Sequence, residues 1–130
     1  MRPKSWGAST LILLAAACAE APDASKPDIP VLDVTVSAYC LQGKTESGLK
    51  VRTGVAAADP DVFPIGSVIR LRGNGTRPAP REGVYTILDT GGKIQGRRID
   101  VYIPSCSQAM RFGRRTMVAE VLRHGWAPER

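Results

Sequence analysis

The chain has 130 residues, with 18 Lys and Arg against 12 Asp and Glu, a single His and a net charge of +6 at neutral pH. That length supports one domain with one modest core and excludes a two-domain enzyme. The basic residues are scattered, and the short clusters Arg97-Arg98 and Arg114-Arg115 have no interleaved aromatics to stack bases, which argues against a nucleic-acid partner.

In chain order, residues 1–18 read as an export signal: Arg2 and Lys4 give a positive start, and Leu11 to Ala17 form an apolar stretch too short for a permanent membrane span. Leu14-Ala15-Ala16-Ala17-Cys18 resembles a bacterial lipobox with its leucine one place early, so Cys18 is a candidate for lipidation and membrane anchoring. A plain Ala-x-Ala cut after Ala19 fits equally, and either cleavage places the protein outside the cytoplasm. Losing Arg2 and Lys4 leaves 16 basic against 12 acidic residues, a net +4 that suits an anionic polymer as well as it suits plain solubility. Residues 19–30, with Pro22, Pro27 and Pro30 among small and charged residues, read as a disordered tether.

The domain is expected over residues 31–124. Val34-Thr35-Val36-Ser37-Ala38-Tyr39 alternates apolar and polar at period two, a half-buried strand. Gln42 to Thr53 reads as a loop, Gly54 to Ala58 as a short apolar strand, and Asp59-Pro60-Asp61 and Pro64-Ile65-Gly66 as turns. Val68 to Arg72 is a third strand, Gly73 to Pro80 an exposed loop, Val84 to Leu88 a fourth strand and Arg98 to Ile103 a fifth. Ser105 is placed to cap a helix over Ser107 to Phe112 that Gly113 ends, and Thr116 to Leu122 is a sixth strand. Residues 125–130 read as a frayed tail. Short strands with one helical turn, and no connections long enough for a series of crossover helices, point to a mainly β fold, a small closed barrel.

The candidate chemistry lies in two aspartates eleven residues apart, Asp89 and Asp100, each directly after an apolar run and separated by a glycine-rich turn. A carboxylate at the edge of a buried strand is expensive without a task or a partner. Alternation puts Ile99, Val101 and Ile103 on one face and Asp100 with Tyr102 on the other, so Asp100 points into solvent or a cleft. Under a bound sugar chain, desolvation and the negative charge of Asp89 would both raise its pKa, as a general acid requires. The plainer alternative is a surface acid paired with Arg97 or Arg98. Asp89-Thr90-Gly91 after Thr86-Ile87-Leu88 also matches half of an aspartic-peptidase site, which in a chain this short would need a dimer. Otherwise Gly91 and Gly92 let a ligand approach the backbone beside Asp89, or Asp89 simply closes an Asx turn. Asp59, before Pro60, is an ordinary turn starter.

Cys40 and Cys106 are an even pair in an oxidising compartment, so a disulfide is expected, closing a loop of about 65 residues and contributing on the order of 3 to 4 kcal/mol. A reactive cysteine would have only His124 as its base. With one histidine, paired cysteines and no calcium-loop spacing of acids, neither a metal nor a cofactor is expected.

Five segments in order carry a resemblance: Gly54 to Pro60, Phe63-Pro64-Ile65-Gly66-Ser67, Leu88 to Gly96, Ile99-Asp100-Val101-Tyr102 and Phe112-Gly113-Arg114-Arg115. Together they resemble the three-aspartate (3D) domain family, whose double-psi β-barrel is shared with the catalytic domain of the membrane-bound lytic transglycosylase A group and with muralytic stationary-phase survival proteins. The resemblance implies that Asp59, Asp89 and Asp100 are the three naming aspartates. It implies a monomeric enzyme that cuts the N-acetylmuramic acid to N-acetylglucosamine bond of peptidoglycan without water, leaving a 1,6-anhydro ring. Asp100 would be the acid and base, Asp89 would tune it and hold the sugar, and Asp59 would support the loop. Thr90, Gly91, Gly92 and Tyr102 would line the cleft, and Lys93 would meet lactyl or peptide carboxylates. The same residues would equally serve a non-catalytic peptidoglycan-binding barrel.

Overall fold

The computed structural model describes residues 28–126, with residues 3–5, 7 and 12. Cys18, most of the export segment and most of the expected tether lie outside the described residues.

Six strands and one helix follow one another: β1 (Val31–Tyr39), β2 (Val55–Ala58), β3 (Val68–Gly73), β4 (Gly83–Asp89), β5 (Arg98–Tyr102), α1 (Cys106–Phe112) and β6 (Arg115–Arg123). They close into a barrel in the order β1-β5-β2-β4-β3-β6, with β6 returning to β1. Two pairs are parallel, β1 with β5 and β2 with β4, and the remaining neighbours are antiparallel. Each parallel pair brackets chain that crosses elsewhere in the barrel, which is the double-psi arrangement. Closure leaves no free sheet edge to manage.

Period-two alternation decides which side chains enter the barrel. Val34 and Val36 of β1, Ile99 and Val101 of β5, and Ala56 and Ala58 of β2 join Phe63, Ile69, Leu71, Ile87 and Met117 in one core. The small side chains of β2 leave room inside for Phe63, which the turn after β2 delivers to the core. Helix α1 begins where expected, with the Ser105 hydroxyl accepting from the Gln108 amide at 3.3 Å, and Gly113, at φ 62°, ends it. It packs on β1 and adds Ala109 and Phe112 to the core.

A second, smaller cluster lies on the outer face of the barrel. Val55, Leu88 and Tyr102 point outward and are roofed by Val51, with Tyr39 packed against them. The segment between β1 and β2 supplies that roof. It is irregular, as its polar composition suggests, but it is docked: the Ser47 amide donates to the Leu88 carbonyl at 3.0 Å and the Val51 amide to the Gly43 carbonyl at 2.9 Å. At its start, Cys40 is bonded to Cys106 at the head of α1, with Cα atoms 5.1 Å apart. The disulfide consumes both thiols, which removes the reactive-cysteine alternative, and His124 is exposed beyond β6.

The C-terminal tail departs from expectation at its first two residues. Gly125 and Trp126 are fastened, not frayed: the Gly125 amide donates to the Ser67 hydroxyl at 2.9 Å and the Trp126 amide to the Ile65 carbonyl at 3.0 Å. Gly66, at φ 88°, lies so closely under the Trp126 ring that a Cβ there would collide with the ring carbons.

Candidate active site

Four neighbouring strands set one row of residues side by side on the outer face. Ser37 of β1 pairs with Asp100 of β5, Asp100 pairs on its other side with Ala57 of β2, and Ala57 pairs with Asp89 of β4. At the usual strand spacing this places the Asp89 and Asp100 backbones roughly 10 Å apart, across the small side chain of Ala57. The row depends on a register shift between Ala56 and Ala57: Ala56 pairs with Ile87 and Ala57 with Asp89, so Leu88 is skipped. Without that bulge Leu88 would stand opposite Ala57 and the carboxylate would be displaced from the row. Leu88 instead joins the outer apolar cluster.

Asp100 is half-buried, and its Oδ1 accepts a hydrogen bond from the Ser37 hydroxyl at 3.1 Å. Burial pushes its carboxyl above the ordinary carboxylate range, while the Ser37 hydrogen bond and the Arg98 guanidinium pull the other way. Desolvation is the largest cause of the shift, and Asp89 stands on the far side of Ala57. The expected surface alternative, pairing with Arg97 or Arg98, is not formed: the Arg98 side chain donates to the Lys93 carbonyl at 2.9 Å.

Asp89 has a structural duty. Its Oδ1 accepts from the amides of Glu46 and Thr90, both at 2.9 Å, which ties the β1–β2 loop to the end of β4. Asp59 sits in a turn away from this row. Its Oδ1 accepts from the Asp61 amide at 2.9 Å, an Asx-type turn, and its Oδ2 from the Gly96 amide at 2.7 Å. These two amides lower its pKa, the Gly96 bond most. Asp59 therefore anchors the far end of the glycine-rich turn.

Asp89, Ala57 and Asp100 floor a cleft of about 330 Å³. The glycine-rich turn contributes Thr90, Gly91 and Ile94 to its lining. A Cβ on Gly91 would meet the Ile94 side chain at 3.0 Å, so a larger residue there would require Ile94 to shift. The loop after β1 contributes Leu41, Lys44 and Val51. Of the residues singled out from sequence, Asp100, Asp89, Thr90 and Gly91 come together in the cleft. Gly92 and Lys93 stand on the same turn outside the lining, and their carbonyls are taken by Gln95 and Arg98. Tyr102 is buried below, its ring 5.5 Å from that of Tyr39, and it is Tyr39 that faces the cleft. The cation among the lining residues is Lys44, not Lys93. Ser37, Tyr39 and Lys44 were not anticipated as site residues. Ser37 and Tyr39 occupy the polar phase of the β1 alternation, a signal that marks an outward face without saying which strand lies beside it.

Sequence comparison assigns the chain: it belongs to the 3D domain family, whose pattern matches residues 54–123. The match spans β2 to β6 and both row aspartates, but not β1 with Ser37 and Tyr39. The cell wall-binding protein YocH of Bacillus subtilis (strain 168) is 36% identical over 100 residues, covering 70% of this chain. The chain spans only 32% of that relative's length. Among solved structures, the lytic transglycosylase MltA of E. coli with bound chitohexaose is similar at TM-score 0.52 and 18% identity, over 66% of this chain and 29% of that one. The Streptomyces papain inhibitor is similar at TM-score 0.56 and 13% identity, over 72% of this chain and 96% of that one. At these identities the two structures establish a shared barrel and nothing more, and a lytic transglycosylase and a papain inhibitor show how far function varies on it.

Proposed function

We propose that this 3D-domain protein is an exported cell-envelope protein that binds peptidoglycan glycan strands and cleaves them as a lytic transglycosylase, with Asp100 as the acid and base. The observation that carries the reading is the Asp100 carboxyl: desolvated, raised above the ordinary range and set at the floor of an open cleft. Such a group holds its proton closer to neutral pH than a surface aspartate does, which a general acid requires. Asp100 gives that proton to the glycosidic oxygen as the bond to the muramyl C1 breaks. The resulting carboxylate takes the proton of the muramyl 6-hydroxyl, whose oxygen bonds to C1 and closes the 1,6-anhydro ring. One carboxyl completes the cycle and no water is consumed, so a second carboxylate at glycosidase spacing is not required.

Asp89 keeps Oδ2 for a sugar hydroxyl while its Oδ1 holds the loop. Lys44 is placed for a lactyl or peptide carboxylate. The protein acts as a monomer outside the cytoplasm, with Cys18 as the candidate lipid attachment point. The aspartic-peptidase reading stands behind both others, because Asp89 shares its row with Asp100 and Asp89 Oδ1 already accepts from two backbone amides.

A second reading, a non-catalytic peptidoglycan-binding barrel, is favoured by the name of the B. subtilis relative. Mass spectrometry of purified peptidoglycan incubated with the wild type and with Asp100→Asn separates the two. Anhydromuramyl products from the wild type alone support the transglycosylase. Reducing-end products mean hydrolysis, and sacculus binding without products means a binding module.

A further inference from the structure

A second recess opens at the end of the barrel where β3 finishes and β4 and β6 begin. It measures about 300 Å³ and is lined by Pro80, Arg81, Gln108, Arg111, Phe112 and Arg115, with no acid among them. An adjoining recess of about 450 Å³ shares Pro80 and Arg115 and follows the Gly73 to Pro80 loop, where it adds Arg77. Together they form one groove with four guanidiniums, brought by that loop, the turn before β4, α1 and the start of β6. None of its lining residues belongs to the aspartate cleft. The ion pairs among the described residues join Arg70 and Arg72 to Glu120 and leave all four groove arginines without an acidic partner. Glu82, beside Arg81 in sequence, accepts on Oε1 from the Gly73 and Ala79 amides at 2.6 and 2.9 Å and so shapes the loop.

Two of these arginines are held in place. Arg115 Nε donates to the Phe112 carbonyl at 3.1 Å, and its guanidinium lies over the Phe112 ring, 5.3 Å from the centroid. The Arg81 guanidinium donates to Gln108 Oε1 at 2.6 Å. Arg81 is also the one residue other than glycine with a positive φ among the described residues, 64°, a strained conformation that the Tyr85 hydroxyl holds by donating to the Arg81 carbonyl at 2.9 Å. Like charges gathered without a counter-charge repel one another, and a bound anion relieves that repulsion. A planar carboxylate is satisfied by one arginine fork, whereas a phosphate accepts from several directions at once, which suits guanidiniums arriving from separate elements. The continuity of the two recesses favours an extended chain over a single ion, and their concavity favours a chain over a flat bilayer. Phe112 is buried beneath Arg115 and offers no face on which a base could stack, so the chain is one without bases. We infer that the groove of Arg77, Arg81, Arg111 and Arg115 binds a phosphodiester-linked polyol, an anionic polymer that holds the protein independently of the aspartate cleft.

The test is calorimetric titration of the full chain, at constant ionic strength, with a glycerol oligomer joined by phosphodiesters, with polyglutamate of equal charge, with inorganic phosphate and with phosphatidylglycerol vesicles. The variants are Arg81→Asn and Arg111→Gln in the groove, and Arg52→Gln, which removes the same charge from an exposed arginine outside both recesses and the cleft. The wild type is expected to bind the glycerol phosphate oligomer more tightly than the other three probes. Each groove variant should bind it about tenfold more weakly, the scale of one charge-assisted hydrogen bond, and Arg52→Gln should stay within about twofold of the wild type. The Tm of Arg81→Asn should be equal or higher, because asparagine adopts a positive φ more readily than arginine does. Equal weakening in Arg52→Gln overturns the groove in favour of net charge, and a lowered Tm in both groove variants beside weaker binding overturns it in favour of stability. Polyglutamate bound as tightly as the oligomer overturns phosphate recognition, and inorganic phosphate bound as tightly overturns the extended occupant. Vesicles bound more tightly through the same arginines would make the groove a membrane contact and overturn the polymer. A wild type that does not bind the oligomer, or groove variants that match it, overturns the inference outright. Each of these results leaves the peptidoglycan digest with Asp100→Asn to be judged separately.

Discussion

Replacing both Cys40 and Cys106 with Ser should destabilise the barrel severely without dismantling its strand order. The bonded cysteines are 66 residues apart, and the loop they close contains β2 to β5. Cross-linking a loop of that length removes conformational entropy from the unfolded chain worth about 4 kcal/mol at 25 °C. That is a large part of the ~5 to 15 kcal/mol that stabilises a typical domain. For a domain of about 100 residues, an unfolding entropy near 2.1 cal/mol/K per residue converts the loss to a fall in Tm of roughly 20 °C. Calorimetry and urea denaturation would measure it. The urea slope m should also rise, because an unfolded chain freed of its cross-link exposes more surface. A loss below about 1 kcal/mol with an unchanged slope would refute the entropic reasoning. The same variant should bind glycan less well at temperatures where it stays folded, because Cys40 stands between Tyr39 and Leu41, and the bond to α1 fixes where that wall of the cleft begins.

The remaining predictions concern the row of residues on the cleft floor. Because burial raises the Asp100 pKa, turnover should fall as pH rises through that raised value, the general acid losing its proton. Ser37→Ala removes a hydrogen bond that favours the ionised form, so the alkaline limb of the kcat/KM profile should move to higher pH; a limb that stays or moves down would contradict the role given to Ser37. Asp89→Ala leaves the Glu46 and Thr90 amides without their acceptor and should cost about 1 to 2 kcal/mol, discounted for partial exposure. Hydrogen exchange should then accelerate over residues 43–51 before the core strands respond, and uniform acceleration would mean that Asp89 does not hold the loop.

The parts of this fold that are legible in sequence are those decided by neighbours along the chain. Val34 to Tyr39, Val84 to Leu88 and Thr116 to Leu122 each alternate on one side of a sheet, and each proves to be a strand extended by one to three residues at an end. The Ser105 cap and the Gly113 stop are equally local. What stays hidden is decided across the barrel. Nothing near Leu88 says that β2 will skip it and select Asp89, since the bulge exists only in the pairing of the two strands. Nothing in the polar run after Cys40 says that it will fold back onto Asp89, and Gly125 and Trp126 look like a tail until Gly66 is seen beneath the indole. The candidate site divides along the same line. Asp89 and Asp100 stand out because a carboxylate after an apolar run is chemically conspicuous wherever the chain goes. Ser37 and Tyr39 carry no such mark, and they reach the cleft because β1 lies parallel to β5 in a register that sets Ser37 beside Asp100 and Tyr39 beside Tyr102. The family pattern begins at Gly54, after β1 has ended. Ser37, which holds the Asp100 carboxylate, and Tyr39, which lines the cleft, therefore lie in the segment outside that pattern.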